Sequence, residues 1–371
     1  MKKKVVVGLS GGVDSAVAAL LLLEQGHDVT GVFMKNWDDS EDPHCSAEED
    51  SREARMVADA LGIPFYAFNF VKEYWDKVFT RFLEEYRAGH TPNPDILCNS
   101  EIKFNAFLHK ALALDVDCIA TGHYARVRQG PGGEFELLKG IDPNKDQTYF
   151  LHAISQAALA RVMFPLGALC KDEVRHIAQT KGLPNWDRKD STGICFIGER
   201  NFKEFLIGYL GRKPGPICDL NGREVGRHDG LMYHTIGQRQ GLGIGGPGEP
   251  WYVVRKEIQS NTLIAAQGKN HPSLFAEGLS FSQPTTLSGR PLPCRFECGV
   301  KIRYRQSDQP GQVLMNAEQQ LFEVHFAQPQ RAVSPKQAVV FYQGDVCLGG
   351  GVIETPMATL AESQMKPLLK A

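Results

Sequence analysis

The sequence lacks several features that would assign it quickly to a class of protein. No stretch approaches the roughly 18 consecutive apolar residues of a membrane-spanning helix, and the first residues lack the apolar segment and cleavage site of a signal peptide. The nine cysteines are scattered without a C-x-x-C pair, so neither a disulfide framework nor a zinc ribbon is predicted. Internal repeats and low-complexity tracts are also missing. These absences predict a cytoplasmic protein with no membrane association and with reduced thiols.

Charge is nearly balanced overall but unevenly distributed along the chain. The net charge is −2, yet residues 1–119 carry −8, residues 120–240 carry +4 and residues 281–371 carry +2. A polyanionic partner would therefore bind the later parts of the chain, although ordinary solvated surface explains so small an excess equally well. With 371 residues, of which 42% are hydrophobic, the chain can bury a substantial core and predicts two or three domains.

The first third of the sequence alternates strand patterns with helix patterns, which is typical of a parallel sheet covered on both faces. The predicted strands span 4–9, 27–34, 64–70 and 117–122, and the predicted helices span 13–24, 46–61, 72–87 and 100–114. Glycine-rich turns and short β runs follow from about residue 208, and strands and turns alone from about 280. We therefore expect an α/β domain over 1–207, a small β-rich central domain over 208–278 and a β-barrel over 279–371.

A glycine-rich loop, Ser10-Gly11-Gly12-Val13-Asp14-Ser15, separates the first predicted strand from the first helix. Glycines let the backbone N–H groups approach an anion, and the helix N-terminus adds positive dipole charge, so the loop predicts a pyrophosphate cradle. It matches neither G-x-x-x-x-G-K-[ST] nor G-x-G-x-x-G. It resembles the S-G-G-x-D-S loop of the PP-loop ATP pyrophosphatases, which share the adenine nucleotide alpha hydrolase-like fold, cleave ATP between the α and β phosphates and adenylate an acceptor. That resemblance implies that Asp14 helps to hold Mg²⁺, and it leaves the acceptor open, because the loop serves amide, guanidinium and sulfur chemistry.

Cys98 is the first candidate reactive thiol. It ends a proline-stiffened loop, residues 91–99, just ahead of the helix predicted to begin near Ser100, where the helix dipole would stabilise a thiolate. Asp95 lies three residues earlier and could accept a proton, although an aspartate after proline is also an ordinary turn residue. A buried structural role is the alternative for Cys98.

Cys195 is the second candidate. It lies between Gly193 and Gly198, shortly after the basic pair at 188–189, in a segment that the glycines would make mobile near positive charge. A structural cysteine is again the alternative. Taken with the phosphate loop, however, the two segments favour reactive over structural cysteines.

The combination closely resembles the tRNA-specific 2-thiouridylase (MnmA) family over essentially the whole chain. The segments that carry the resemblance are Gly8–Ser15, Asn93-Pro94-Asp95 with Cys98-Asn99, Ala120–Ala125, Lys145–Leu151, Gly193–Gly198 and Thr235–Leu242. The resemblance implies an ATP-dependent tRNA-uridine 2-sulfurtransferase that adenylates the 2-carbonyl oxygen of the wobble uridine and gives 2-thiouridine, AMP and pyrophosphate. Sulfur would arrive as a persulfide on Cys195, and would either attack the activated carbon directly or be released first as hydrosulfide by Cys98. Asp95 would be the acid/base.

The same resemblance implies two sets of binding residues and several partners. The ATP site would comprise Gly8, Leu9, Ser10, Gly11, Gly12, Val13, Asp14, Ser15, Met34 and Gly122. The tRNA contacts would comprise Asn93, Pro94, Asp95, His123, Lys145, Asp146, Gln147, Tyr304, Arg305 and Gln337. The implied partners are wobble-uridine tRNAs, such as those for Glu, Gln and Lys, and a sulfur-relay protein or cysteine desulfurase. The residues themselves add one expectation, since Lys301, Arg303 and Arg305 alternate along a predicted strand and would present three cations on one face.

Two other functions compete with this interpretation. One is another PP-loop adenylating ligase, of the amidotransferase or lysidine type, in which both cysteines are structural. The other is a non-enzymatic adenine-nucleotide sensor with a barrel that binds partners. Substitution of Cys195 separates the first from a thiolase, and tRNA-dependent formation of AMP and pyrophosphate excludes the second.

Overall fold

The computed structural model of the chain describes residues 2–38, 47–190, 201–316 and 321–365. Its strands are β1 Lys4–Gly8, β2 Asp28–Lys35, β3 Phe65–Asn69, β4 Cys118–Ala120, β5 Ala125–Gln129, β6 Phe135–Lys139, β7 Val162–Met163, β8 Gly215–Cys218, β9 Glu224–His228, β10 Trp251–Glu257, β11 Thr262–Gln267, β12 Phe275–Thr286, β13 Arg295–Lys301, β14 Gln309–Asn316, β15 Leu321–Arg331, β16 Ala338–Gln343 and β17 Val346–Pro356. Its α-helices are α1 Val13–Glu24, α2 Ala47–Leu61, α3 Val71–Tyr74, α4 Thr80–Arg87, α5 Pro94–Leu97, α6 Leu108–Leu112, α7 Thr148–Leu151, α8 Gln156–Leu159, α9 Lys171–Thr180, α10 Phe202–Leu210 and α11 Leu360–Met365. Wider π-helical turns, Trp75–Phe79 and Cys98–Phe107, join α3 to α4 and α5 to α6, and 3-10 turns span Leu231–Tyr233 and Pro272–Leu274.

The N-terminal part folds around a parallel sheet with strand order β3-β2-β1-β4-β7, which confirms the predicted α/β class. Successive side chains of β1 point to opposite faces. Val5 and Val7 pack with the buried residues of α1, α2 and α9, whereas Val6 packs with the cluster that contains the Cys98–Phe107 turn. Helix α1 is apolar all round, as expected for a helix buried between the sheet and α9. The carboxyl ends of the strands thus meet the start of α1, where a ligand is expected.

The helix around Cys98 begins earlier than the sequence predicts. We expected a loop up to residue 99, but the structure shows a helix starting at Pro94. The side chain of Asn93 accepts a hydrogen bond from the backbone N–H of Asp95 at 3.1 Å, and Pro94 occupies the first helical position, where no N–H is needed. The predicted loop was therefore wrong from residue 94 onward, because its prolines and asparagine are a helix start.

The two later parts of the chain are β-rich, as predicted, and each is built on its own sheet. The central one has the order β10-β11-β8-β9, and the C-terminal six strands form an antiparallel barrel that closes through β12 and β17. A hairpin that the sequence analysis did not anticipate, β5–β6, adds to the barrel where Leu138 pairs with Val346. The barrel sheet therefore includes residues from the N-terminal part, and the domain boundaries at 207 and 278 stay a prediction.

No helix in the described ranges is both long and apolar enough to cross a bilayer. Within the same ranges, no three histidine, cysteine or carboxylate side chains are grouped so that they could hold a metal ion.

A buried histidine in the part of the chain between α10 and the barrel, residues 211–274 (the central unit), should make stability depend on pH. His234 is 3% exposed, and neither of its ring nitrogens has a hydrogen-bond partner among the described residues. Burial, together with the nearby His228 and Lys256, lowers the pKa of His234 from 6.5 to about 4. The folded state therefore keeps His234 neutral while the unfolded chain binds a proton, so stability falls as pH drops from 6.5 towards 4.

We expect His234→Leu to remove about 2 kcal/mol of the acid destabilisation that wild type shows between pH 7.5 and pH 5. Urea unfolding at the two pH values measures the difference. His109→Leu is the control, because His109 is exposed on α6. An equal loss of stability in wild type and His234→Leu would contradict the expectation.

Candidate functional site

The loop of residues 10–15 is held by its own hydroxyl groups. Ser15 Oγ donates to the carbonyl of Gly12 at 3.0 Å and accepts from the backbone N–H of Ser10 at 3.2 Å. Gly11 has a φ of +79°, and a Cβ there would lie 2.7 Å from the carbonyl oxygen of Asp50, so glycine is required. Gly12 precedes α1 without a capping side chain, which leaves the first-turn N–H groups directed at any bound anion. The segment is therefore held in the shape expected of an anion cradle, and phosphate binding there stays a prediction.

The other predicted ATP residues surround this cradle. Met34 lies near the carboxyl end of β2, and its Cε is 3.2 Å from where a Cβ on Gly8 would be. Gly122 follows β4, and a Cβ there would lie 2.8 Å from the backbone nitrogen of Ser15. The structure therefore brings Met34 and Gly122 against the first strand and the loop.

An ion-pair network that the sequence analysis missed extends from the loop. Asp14 Oδ1 accepts from Tyr124 Oη at 2.8 Å and from Lys171 Nζ at 2.7 Å. Lys171 Nζ also lies 2.8 Å from Asp190 Oδ1, and Lys145 Nζ lies 2.7 Å from Asp190 Oδ2. Partial burial raises the pKa of Asp190, but the hydrogen bonds from Lys145 and Lys171 outweigh it and lower the pKa to about 2. Asp190 is therefore an anion throughout the physiological range and links three segments of the chain.

The segment that ends at Asp190 is also fastened to the back of the loop. The carbonyl of Gly11 accepts from Asn185 Nδ2 at 2.8 Å and from Arg188 Nη1 at 3.2 Å. Arg188 in addition pairs with Asp50 of α2. These residues are far from the loop in sequence, and the only feature of the sequence analysis that bears on this contact is the excess of positive charge over residues 120–240. The segment that leads towards Cys195 is therefore attached to the loop of residues 10–15.

Cys98 is 2% exposed and lies one turn inside the helix that starts at Pro94. The dipole argument for its thiolate is therefore weaker than predicted, because the dipole acts mainly within the first turn. Asp95 and Cys98, three residues apart on this helix, share a face. Burial raises the pKa of the Asp95 carboxyl, an effect that Lys103 partly offsets. Cys195 lies outside the described residues, so its role stays a prediction.

Two of the predicted tRNA contacts join the barrel to the N-terminal part. Gln337 Nε2 donates to the carbonyl of Thr91, next to the Asn93–Asp95 segment. Tyr304 Oη donates to the carbonyl of Lys145 at 3.3 Å. The barrel residues of the predicted set therefore lie beside its N-terminal residues, although they are far apart in sequence.

Three other predicted tRNA contacts already have partners within the chain. His123 is 9% exposed and bonds Thr121 Oγ1 through Nδ1 at 2.7 Å, and its burial holds its pKa well below the ordinary value. Asp146 is 4% exposed and accepts from Thr148 Oγ1 at 2.8 Å. Gln147 Oε1 accepts from the backbone N–H of Tyr124 at 2.9 Å. Their role in tRNA binding stays a prediction, and a structural role is visible for each.

The predicted strand carrying three cations was wrong. Strand β13 ends at Lys301, and the chain then bends, with the backbone N–H of Gln306 bonded to the carbonyl of Arg303 at 3.2 Å. Lys301 is 7% exposed and pairs with Asp146 at 3.4 Å. The charges at 301, 303 and 305 therefore do not share one strand face.

Comparison with known proteins adds an independent line. The chain matches three family descriptions in order: a tRNA methyl transferase HUP domain over residues 3–199, a tRNA methyl transferase PRC-barrel domain over 203–267 and an aminomethyltransferase beta-barrel domain over 277–353. Relatives of nearly the same length are named differently. The tRNA-specific 2-thiouridylase MnmA of Halalkalibacterium halodurans is 59% identical over 95% of this chain and 94% of its own. MnmA 1 of Geobacillus kaustophilus is 57% identical over 95% of this chain and 96% of its own.

A third relative, MnmA of Listeria monocytogenes, is 57% identical over 95% of each chain. Identity at this level over almost the whole length favours the 2-thiouridylase name of the relatives over the methyl transferase wording of the family descriptions. The chain belongs to the tRNA-specific 2-thiouridylase (MnmA) family.

Proposed function

We propose that this protein is an ATP-dependent tRNA-uridine 2-sulfurtransferase that converts the wobble uridine of tRNA to 2-thiouridine. The observation that carries the proposal is the junction at Asp190. This residue, five positions before Cys195, is ion-paired through Lys171 to Asp14 of the phosphate loop. A candidate persulfide is thereby tied by a short piece of chain to a candidate adenylation site.

The first step is adenylation of the uridine 2-oxygen. The loop N–H groups and the start of α1 bind the phosphates, and Lys171 supplies a cation that the loop itself lacks. Asp14 offers a carboxylate oxygen, the ligand type that Mg²⁺ prefers, and its side chain is one-third exposed. Magnesium bound there would neutralise phosphate charge. Loss of pyrophosphate then leaves AMP on the uridine oxygen, which makes that oxygen a good leaving group.

The second step is sulfur transfer. The terminal sulfur of a Cys195 persulfide attacks C2 and AMP departs with the former 2-oxygen. The Cys98 thiolate then attacks the Cys195 sulfur, which breaks the persulfide S–S bond and leaves a Cys98–Cys195 disulfide. The transferred sulfur is reduced as the two thiols are oxidised, so electrons balance. If Cys98 instead releases hydrosulfide first, the same disulfide forms.

A chain of side-chain contacts links the residue beside Cys98 to the phosphate loop. Tyr304 packs on Phe150 with 4.5 Å between ring centroids, and Tyr304 Oη bonds the carbonyl of Lys145, which pairs with Asp190. Asn99 Nδ2, next to Cys98, donates to the carbonyl of Phe150 at 3.1 Å. A continuous series of contacts thus runs from the phosphate loop to the residue beside Cys98.

Covalent geometry sets a matching limit for the other cysteine. Cys195 lies five positions after Asp190, so at most about 18 Å can separate their Cα atoms. On the far side, Phe202 and Phe205 of α10 pack in the same apolar cluster as Cys98. Both ends of the chain that carries Cys195 are therefore attached to the N-terminal part that holds the candidate site.

The finer details remain parts of the proposal. Asn93, Pro94 and Asp95 contact the target base, and the other predicted tRNA residues contact the RNA around it. The substrates are wobble-uridine tRNAs, a relay protein or desulfurase supplies the sulfur, and the reaction takes place in the cytoplasm. The ligase alternative gains no support from the three relatives, which are named 2-thiouridylases.

Mass spectrometry of nucleosides tests the function. Unmodified tRNA is incubated with the protein, ATP, magnesium and a cysteine desulfurase system. We expect 2-thiouridine that depends on ATP. Consumption of ATP with tRNA but without any thiolated nucleoside would instead favour the ligase.

We expect Asp95→Asn to slow thiolation by about 10²–10⁴-fold, the usual contribution of a positioned acid or base. Burial raises the pKa of Asp95 above 3.8. Only the ionised carboxylate can act as a base, so wild-type activity should fall as pH drops through the raised pKa. The variant should lack this acidic limb. Glu101→Gln is the control, since Glu101 lies further along the helix of Asp95 and pairs with Lys77 of the Trp75–Phe79 turn. An unchanged acidic limb in Asp95→Asn would remove Asp95 from the mechanism.

A further inference from the structure

Two arginines meet where the central unit contacts the barrel. Arg303 Nη2 donates to the carbonyl of Ile236 at 3.2 Å and to that of Ala332 at 3.0 Å. Arg331, the last residue of β15, donates from Nε to the carbonyl of Lys269 at 3.0 Å. Each guanidinium therefore bonds one carbonyl of the central unit, and both lie at the junction.

Gly237 brings the two guanidinium groups close together. It has a φ of +83°, and a Cβ there would lie 3.3 Å from Arg331 Nη1 and 3.4 Å from Arg303 Nη2. The two nitrogens can therefore be no more than about 7 Å apart. A Cβ on Gly237 would also lie 2.6 Å from Cβ of Ala332, so a larger residue would push the two units apart.

The positive charge at this junction is not neutralised within the described residues. Neither Arg303 nor Arg331 has a carboxylate within 4.0 Å there, whereas the buried Lys171 and Lys301 each have two. Partial burial and the neighbouring Arg331 lower the pKa of Arg303. Three exposed cations lie close by in the chain or through a contact: Arg305 is two positions after Arg303, Arg239 is two positions after Gly237, and the carbonyl of Lys269 accepts from Arg331. None of the three has a carboxylate partner within 4.0 Å in the described ranges.

The arginines are also held in place before any ligand binds. The Arg331 guanidinium lies 5.0 Å from the centroid of the Tyr252 ring, an arrangement that fixes the orientation of its fork. The adjoining loop is fixed by Gln238, whose Oε1 accepts from Thr235 N at 2.9 Å and whose Nε2 donates to Gln240 O at 2.8 Å. This loop is the Thr235–Leu242 motif, to which the proposed reaction assigns no task.

We propose that Arg303 and Arg331 form a binding site for a backbone phosphate of the tRNA, outside the pocket of the wobble base. The Thr235–Leu242 loop builds this site, with Gly237 admitting both guanidinium groups and Arg239 contacting a neighbouring phosphate. Phosphate contacts of this kind supply affinity and register without reading sequence. The inference rests on the proposed function, because that function makes RNA the polyanion available to the site.

The test is the salt dependence of tRNA binding. An unmodified tRNA transcript is titrated with the full-length protein, without ATP, between 50 and 300 mM KCl. Removing one cation that binds a phosphate makes the negative slope of log K against log [salt] shallower by about 0.7–0.9. For Arg303→Gln/Arg331→Gln we expect the negative slope to become shallower by about 1–2 and the dissociation constant for tRNA to rise about 10-fold or more. In the thiolation reaction, KM for tRNA should rise with little change in kcat.

Two variants separate phosphate binding from a purely structural role. Arg303→Lys/Arg331→Lys keeps the charge and should retain the slope. Arg223→Gln/Arg227→Gln removes two exposed arginines of the central unit that pair with Asp219 and Glu224, and should leave tRNA affinity unchanged. If the Gln pair lowers the melting temperature and leaves the slope at the wild-type value, the arginines only join the two units and the proposal is wrong. Absence of 2-thiouridine with wild type would count against the proposed function instead, since the slope is measured without turnover.

Discussion

Replacing Cys98 with serine should lower 2-thiouridine formation by about 10³-fold or more, because no thiolate remains to resolve the persulfide. Adenylation should survive, since the phosphate loop and Lys171 are untouched. The measurement is therefore paired: thiolated nucleoside by mass spectrometry, and pyrophosphate released in a single turnover with tRNA. We expect the first to disappear while the second stays near one per tRNA. Cys195→Ser should give the same pattern.

Cys347→Ser is the matched control for Cys98→Ser. Both cysteines are 2% exposed, but Cys347 lies on β17 of the barrel. The control should thiolate tRNA at the wild-type rate. If Cys98→Ser also retained the wild-type rate, Cys98 would be a structural cysteine, and hydrosulfide or a persulfide would have to act without it.

Lys171→Met should block the reaction at the earlier step. The Lys171 side chain is 10% exposed and its ammonium group pairs with Asp14 of the loop, so its loss removes a largely buried cation from the place where phosphate charge must be stabilised. We expect tRNA-dependent release of pyrophosphate to fall by about 10²–10³-fold, a loss typical of one such electrostatic contact. Thiolation should fall by the same factor, because it follows adenylation.

Lys181→Met serves as the control on the same stretch of chain. Lys181 follows α9 and pairs at its surface with Glu24 of α1, so its removal should leave adenylation unchanged. Lys171→Met also leaves Asp14 and Asp190 without their shared cation, and the melting temperature should be measured to confirm that the variant is folded. A folded Lys171→Met protein with wild-type pyrophosphate release would show that Lys171 only supports the loop.

Local patterns explain what the sequence predicts correctly. The strand, loop and helix at residues 4–24 are adjacent in the chain, and their apolar spacing and glycines act over a few residues, so α1 lies at the predicted bounds. The parallel sheet follows from the alternation of strands and helices. Met34 and Gly122 were implied by the family resemblance, and both lie at strand ends that meet at one edge of the sheet, while their role in binding ATP stays a prediction.

The start of the helix that contains Cys98 was missed, although its signals are local. A proline at the first helical position after a capping asparagine is a known helix start, but two prolines in three residues also resemble a stiff loop. The bend after Lys301 has a similar cause, because alternating polar and apolar residues continue past the end of β13 while Gln306 turns the chain.

The ion-pair network could not be predicted, because nothing in the chain marks which distant charges meet. Lys171 and Asp14 are 157 positions apart, and no local pattern in the chain links them. The same holds for the β5–β6 hairpin, whose pairing with β17 spans more than 200 residues. Such contacts are fixed by tertiary packing, which a single sequence does not reveal.

The formation of a disulfide between Cys98 and Cys195 tests the central claim most directly. Protein loaded with persulfide is given tRNA, ATP and magnesium for one turnover without reductant, and its peptides are then mapped by mass spectrometry under non-reducing conditions. We expect one Cys98–Cys195 disulfide for each 2-thiouridine formed, and none when ATP is omitted. Formation of 2-thiouridine with Cys98 still a thiol, or with Cys195 joined to a different cysteine, would contradict sulfur transfer by this pair.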